Sequence, residues 1–268
     1  MPDPATLREL VKRHQRRLYL FLRALLPAAP RAEEALADAT IALWDRGPNV
    51  RPEHFTDLVD RVAREVAAER VSPFSADLVR QLADSAEPFL DLSDKRPAAL
   101  AELLGQLPPP ERDLLRRKYE LGMTAEQIGL AENRPASAVQ RDLVGLHAIL
   151  VSRLREVIPD LGPEPPGGAA DLGRLTDQLL DGTITDDGRL VLETLLLADA
   201  AAQAHYHRHV ALVAELTMRF RGLPPVPEPS LAPAPRVTRR EQIVTGAFVA
   251  ACVVAFVVLI LLFTGHLR

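Results

Sequence analysis

The stretch TAEQIGLAENRPASAVQRDL, residues 124–143, decides how the chain folds around it. Thr124 and Gln127 have the spacing of a capping box, in which each side chain satisfies a free backbone amide at a helix start. The turn ENRPA follows, and a second helix is expected over 136–157. A short capped helix, a turn and a longer helix make a helix-turn-helix. Small residues at the start of the second helix let its backbone approach a DNA backbone and seat it in the major groove. On that placement Ser137, Gln140 and Arg141 point outwards, with Arg134 beside them. Arg141 suits guanine edges or a phosphate, and Gln140 suits adenine or the backbone. The same pattern also serves protein contacts, so DNA binding is an expectation and three-helix packing the alternative.

Working outward, the triple proline 108–110 stops a helix over 98–106 and opens the next at Glu111, and Gly122 closes the helix ERDLLRRKYEL. Further upstream, Leu7, Leu10, Val11, Leu18, Phe21, Leu22 and Leu25 share one face of a helix over 5–26. Its Lys12 to Arg17 face is expected to be solvated. Similar patterns over 31–46 and 53–70 complete a first bundle, with Trp44 as its core plug. The expected units are a bundle over 1–72, a linker over 73–97 with at most one short helix, and the helix-turn-helix bundle over 98–158.

Downstream, PDLGPEPPGGAA marks a boundary over 159–170. A third helical module occupies 171–222, with a long helix from about 188 to 221, and a Pro-rich spacer spans 223–242. Residues 243–263, IVTGAFVAACVVAFVVLILLF, carry no charge. At about 1.5 Å per residue they span roughly 31 Å as a helix, the thickness of a bilayer core. Arg236, Arg239 and Arg240 precede the run and Arg268 follows it, so the N-terminal side is expected in the cytoplasm. The expected fold is therefore all-α: two small helical bundles, a third small helical module and one C-terminal transmembrane helix.

Composition narrows the function. Of 268 residues, 47% are hydrophobic and only 4% aromatic, which suits close-packed helices rich in Ala and Leu. A net charge of -4 argues against holding nucleic acid by bulk electrostatics, so any DNA contact is local or shared with a partner. The sole cysteine, Cys252, excludes an intramolecular disulfide and a cysteine-based zinc site. The start MPDPATLREL lacks a signal-peptide pattern. Phosphate-loop, serine-nucleophile and zinc-protease motifs are missing, so neither an enzyme nor a cofactor is expected. His205, His207 and His209 alternate along the last helix; only His205 and His209 have a spacing that shares a metal, and without an acid or thiol as third ligand they are expected to be solvated.

Two segments together resemble the extracytoplasmic-function type of the sigma-70 family, over about the first 155 residues. AEEALADATIALW (32–44) with LVDRVAREVAAER (58–70) looks like region 2, and LPPPERDLLRRKYELGMTAEQIGLAENRPASAVQRDLVGLHAIL (107–150) is similar to region 4. The resemblance implies binding to the RNA polymerase core through Glu33, Glu34, Asp38 and Leu43, and to promoter DNA through Arg61 and Arg64 as well as the region-4 residues. Gln140, Asp142 and Gly145 stand where the family commonly has basic residues, Ala37 replaces a usual Gln, and Glu65 replaces a usual Asn. Each lost phosphate contact lowers DNA affinity. Residues from LLDG to VAEL (179–216) resemble the helical segment of FecR-like and anti-sigma proteins that precedes a transmembrane helix. Together these resemblances imply a membrane-tethered sigma factor autoinhibited in cis, at the inner membrane, with a membrane protease or sensor as a further partner. The alternative is a sigma-like adaptor that does not read promoters.

Overall fold

The computed structural model describes residues 3–86, 90, 95–158 and 169–227. These are helical, with no strand among the described residues. The expected transmembrane run 243–263 lies outside them, as do most of the 159–170 boundary and the spacer beyond residue 227. Among the described residues no helix is long and apolar enough to cross a membrane.

The first helices are α1 (Pro4–Leu25), α2 (Ala29–Arg46), α3 (Phe55–Ala68) and α4 (Ala76–Ser85). Asp3 starts α1 by accepting from the backbone N–H groups of Ala5 and Thr6, both at 2.8 Å. Ser75 starts α4 by accepting from Leu78. Leu18, Leu22, Leu36, Phe55, Val62, Leu78 and Leu82 are fully buried between these four helices. Helix α4, which falls in the expected linker, therefore belongs to the first core.

The second group comprises α5 (Arg96–Gln106), α6 (Pro109–Leu115), α7 (Ala125–Glu132) and α8 (Ala136–Val157). Helix α6 runs on through a wide π turn over Arg116–Glu120, where the Leu121 N–H reaches back to the Arg116 carbonyl at 3.2 Å. Gly122 then reverses the chain at φ +68°, a conformation only glycine adopts without strain. Both halves of the capping box form: Gln127 N–H to the Thr124 hydroxyl at 3.2 Å and Thr124 N–H to the Gln127 side chain at 2.9 Å. Asn133, in the left-handed region, makes the turn into α8. Ala125, Ile128, Val139 and Leu143 close a small core of their own with Leu114.

The last three helices are α9 (Ala169–Leu180), α10 (Asp186–Ala198) and α11 (Ala200–Arg221). The single long helix expected over 188–221 is broken at Asp199, whose extended backbone ends α10 and whose carboxylate caps α11 through the Ala201 N–H at 2.8 Å. Every residue from His205 to Leu216 is buried. Tyr206, Val210 and Ala214 of α11 enter the core of the first bundle. Leu212, Val213 and Leu216, on another side of α11, enter a core with Leu103, Leu115, Leu146 and Leu150. Each such side chain contributes about 1.5–3 kcal/mol when fully buried. A helix enclosed by both bundles is apolar on more than one side, which explains its weak amphipathic pattern.

Polar contacts follow the same route. The Tyr206 hydroxyl donates to the Ala24 carbonyl at 2.8 Å. Arg17 pairs with Asp60, and Arg16 pairs with the buried Glu215, so this part of α1 is not the solvated face expected for it. Trp44 is half-buried at the edge of the first bundle instead of plugging it. Its indole Nε1–H donates to the Pro227 carbonyl at 3.1 Å, and Gln15 donates to the Pro224 carbonyl at 2.6 Å. The first residues of the Pro-rich spacer thus lie along α1 and α2.

Candidate functional site

The helix-turn-helix presents its polar residues on two sides. Ser137 and Gln140, early in α8, line a cleft whose other wall is Gln178, Asp181 and Thr183 at the end of α9. Lys118 closes that wall by pairing with Asp181 at 2.7 Å. Arg141 is exposed and lines a second cleft with Glu111, Asp113, Glu132 and Asp142. Arg134 is held by Glu132 at 3.0 Å and by Asp142. Ser137 and Gln140 therefore face the C-terminal helices, while Arg134 and Arg141 sit among carboxylates.

Of the residues singled out on the first bundle, Arg64, Glu34 and Asp38 are tied by ion pairs. Arg64 pairs with Asp84 at 2.7 Å, donates to the Ala83 carbonyl at 3.0 Å and lies over the Phe21 ring, whereas Arg61 is exposed. Glu34 and Asp38 converge on Arg70, and Glu33 is exposed beside them. Leu43 is 1% exposed and packs in the first core, so it offers no surface to a partner in this conformation. Its place in the apolar stripe of α2 accounts for that.

Where α8, α9 and α11 meet, four polar side chains make a buried chain of hydrogen bonds. His147 Nδ1 faces Asp177 at 2.9 and 3.1 Å, and His209 Nε2 faces the same carboxylate at 2.7 Å. The Tyr119 hydroxyl lies 2.7 Å from His147 Nε2. Burial pushes the Asp177 carboxyl up, but the facing His147 and His209 rings and their hydrogen bonds outweigh it and hold the group well below the usual carboxylate range. His207 reaches Ser85 at 3.0 Å, and burial pushes it down to about 3. Burial, with His209, Arg208 and Arg155 nearby, pushes His205 down to about 4.

The three histidines of α11 are thus interior groups, not the solvated ones expected from their alternation. His209 takes its partners from α8 and α9 instead of from His205. Asp177 is the acid that the local sequence around the histidines lacks. A signal for His147 does exist: it occupies an apolar position in the stripe Leu143, Leu146, Leu150, Val151 and Leu154. Asp177 lies in a buried run with Leu175 and Thr176. His147, Asp177 and His209 are buried between helices, an arrangement able to hold a proton or a cation there. Compared with protein-family models, curated proteins and solved structures, the chain matches none.

Proposed function

We propose that the chain is a membrane-tethered, sigma-like initiation protein of the extracytoplasmic-function type that its own C-terminal helices hold inactive. The polymerase core and promoter DNA are its partners, and 243–263 is the anchor, with the described helices on the cytoplasmic side. One observation carries the autoinhibitory part: α11 is enclosed by both bundles along His205 to Leu216, while α9 flanks Ser137 and Gln140. A sigma-like protein must spread its two bundles over polymerase, and a helix shared between their cores opposes that. Covalent attachment adds to it, since a flexible tether gives an effective concentration of roughly millimolar. Release then requires proteolysis or a membrane partner.

The second reading, an adaptor that docks on polymerase without reading promoters, is favoured by the carboxylates around Arg134 and Arg141. Transcription in vitro with core polymerase separates the two. The chain ended at residue 158 is expected to yield promoter-specific transcripts, and the full chain few. Core binding by the short chain with no transcript would establish the adaptor, and equal transcription from both chains would remove autoinhibition.

A further inference from the structure

His147, Asp177 and His209 come from three different helices, and each brings one donor atom to within 4.8 Å of the other two. They are 2%, 4% and 2% exposed. We propose that these three residues bind a zinc ion that clasps the helix-turn-helix bundle to the C-terminal helices. The proposal concerns the join between α8, α9 and α11 and needs nothing from the transcription reading.

Two imidazoles and one carboxylate are a donor set that zinc accepts, and the borderline softness of the ion suits nitrogen with oxygen better than calcium or magnesium would. Donors bound to one tetrahedral zinc at about 2.0–2.1 Å lie roughly 3.3 Å apart. His147 Nδ1 and His209 Nε2 are now 2.9 and 2.7 Å from Asp177 Oδ1, so the ion needs them to part by about half an ångström. The proton on each facing nitrogen moves to the other ring nitrogen. On His147 that is Nε2, where the Tyr119 oxygen at 2.7 Å accepts it. Tyr119 therefore acts as the outer partner that orients a metal-bound imidazole.

A second observation points to the same place. His205 Nε2 is buried and has no hydrogen-bond partner among the described residues, and its ring centroid lies 6.1 Å from that of His209. An unsatisfied buried nitrogen beside the cluster is a cost to the closed packing and marks the pocket as polar. Gly173, one turn before Asp177, borders both rings: a Cβ there would stand 3.8 Å from His205 Nε2 and from His209 Nδ1. His205 therefore lines the outer edge of the His209 ring, beside the three donors and not among them.

The test uses the full chain, purified in detergent without metal-chelate chromatography, then equilibrated with zinc chloride and desalted. Elemental analysis is expected to find about one zinc per chain. Asp177→Ala and His209→Ala should lose it while keeping their helical circular dichroism. Because either variant can misfold, Tyr119→Phe is measured too, and should weaken zinc binding by about tenfold or more. Cobalt(II) added to the unaltered chain should show the visible bands of a four- or five-coordinate ion, and zinc should raise the Tm over that with chelator by about 5 °C or more. No zinc on the unaltered chain, or zinc retained by folded Asp177→Ala and His209→Ala, would overturn the proposal.

Discussion

Arg16 of α1 and Glu215 of α11 meet through two hydrogen bonds, Nε to Oε1 at 3.0 Å and Nη2 to Oε2, although 199 residues separate them. The Glu215 side chain is 2% exposed and that of Arg16 30%. The charge of Glu215 also reaches the buried Arg96 of α5. One carboxylate therefore ties α11 to both bundles. Glu215→Ala should cost about 3 kcal/mol, because it strips compensation from a buried arginine as well as breaking the pair. Arg16→Ala should cost less, since Glu215 keeps Arg96. Urea unfolding of the two variants orders them, and the reverse order would show that the surface end of the pair dominates.

Gly129 of α7 is a packing glycine. A Cβ there would stand 2.6 Å from the Arg134 carbonyl oxygen and 3.3 Å from the Ala136 nitrogen, both backbone atoms that cannot swing away. Gly129→Ala should destabilise the helix-turn-helix by about 2 kcal/mol, the middle of the range for overpacking. Thr124→Ala, which removes the cap, should cost about 1 kcal/mol. Hydrogen exchange of the Ala125–Glu132 amides reads both. Exchange no faster than in the unaltered chain would mean that the turn opens to admit the methyl group.

Trp44 is the one tryptophan, and it contacts the start of the spacer through Pro227. Ending the chain at residue 222 removes that cover. The emission maximum should move to longer wavelength, as an indole does on entering water, with little change in helical circular dichroism. An unmoved maximum would show that the bundle alone shields the ring.

All three tyrosines resist ionisation. Burial raises Tyr19, Tyr119 and Tyr206 above the ordinary tyrosine value, Tyr119 well above it and Tyr206 strongly. An unfolded tyrosine ionises near pH ~10. Stability from these groups is thus complete below about pH 10 and falls as pH rises above it towards the folded values. In an alkaline titration, tyrosinate absorbance should appear together with loss of helix. Tyrosinate formed well before unfolding would place the rings in contact with water.

Asp142 neutralises Arg134 at the turn into α8. On the promoter-binding reading, Asp142→Asn leaves Arg134 with Glu132 as its one carboxylate partner and opens the Nη2 side of the guanidinium to a phosphate. DNA binding by the chain ended at residue 158 should tighten, and the slope of log affinity against log salt should steepen by about 0.9, the release of one more counterion. An unchanged slope would take Arg134 off the DNA face and favour the adaptor.

Local features were readable because they depend on a few neighbouring residues. The capping box of Thr124 and Gln127, the glycine stop at Gly122 and the apolar stripes of α1 to α3 each express a spacing of three or four residues. The break at Asp199 was hidden, because Ala and Leu continue on both sides of it and only the carboxylate's capping of α11 shows where the helix restarts. Leu43 was assigned to a partner by resemblance, while its own stripe position already placed it inside.

By itself the sequence determined that the described residues are helical, where most of their helices begin and end, and that a helix-turn-helix lies at 124–157. Only the tertiary structure decided what surrounds α11. His205, His207 and His209 alternate in a way that suits a wet surface, and they are buried because two bundles enclose the helix from different sides. His147 and Asp177 lie 30 residues apart in the chain and meet only when α8, α9 and α11 pack together. Helix periodicity reports which face of a helix is apolar. It carries no information on which distant polar side chains that packing will bring face to face.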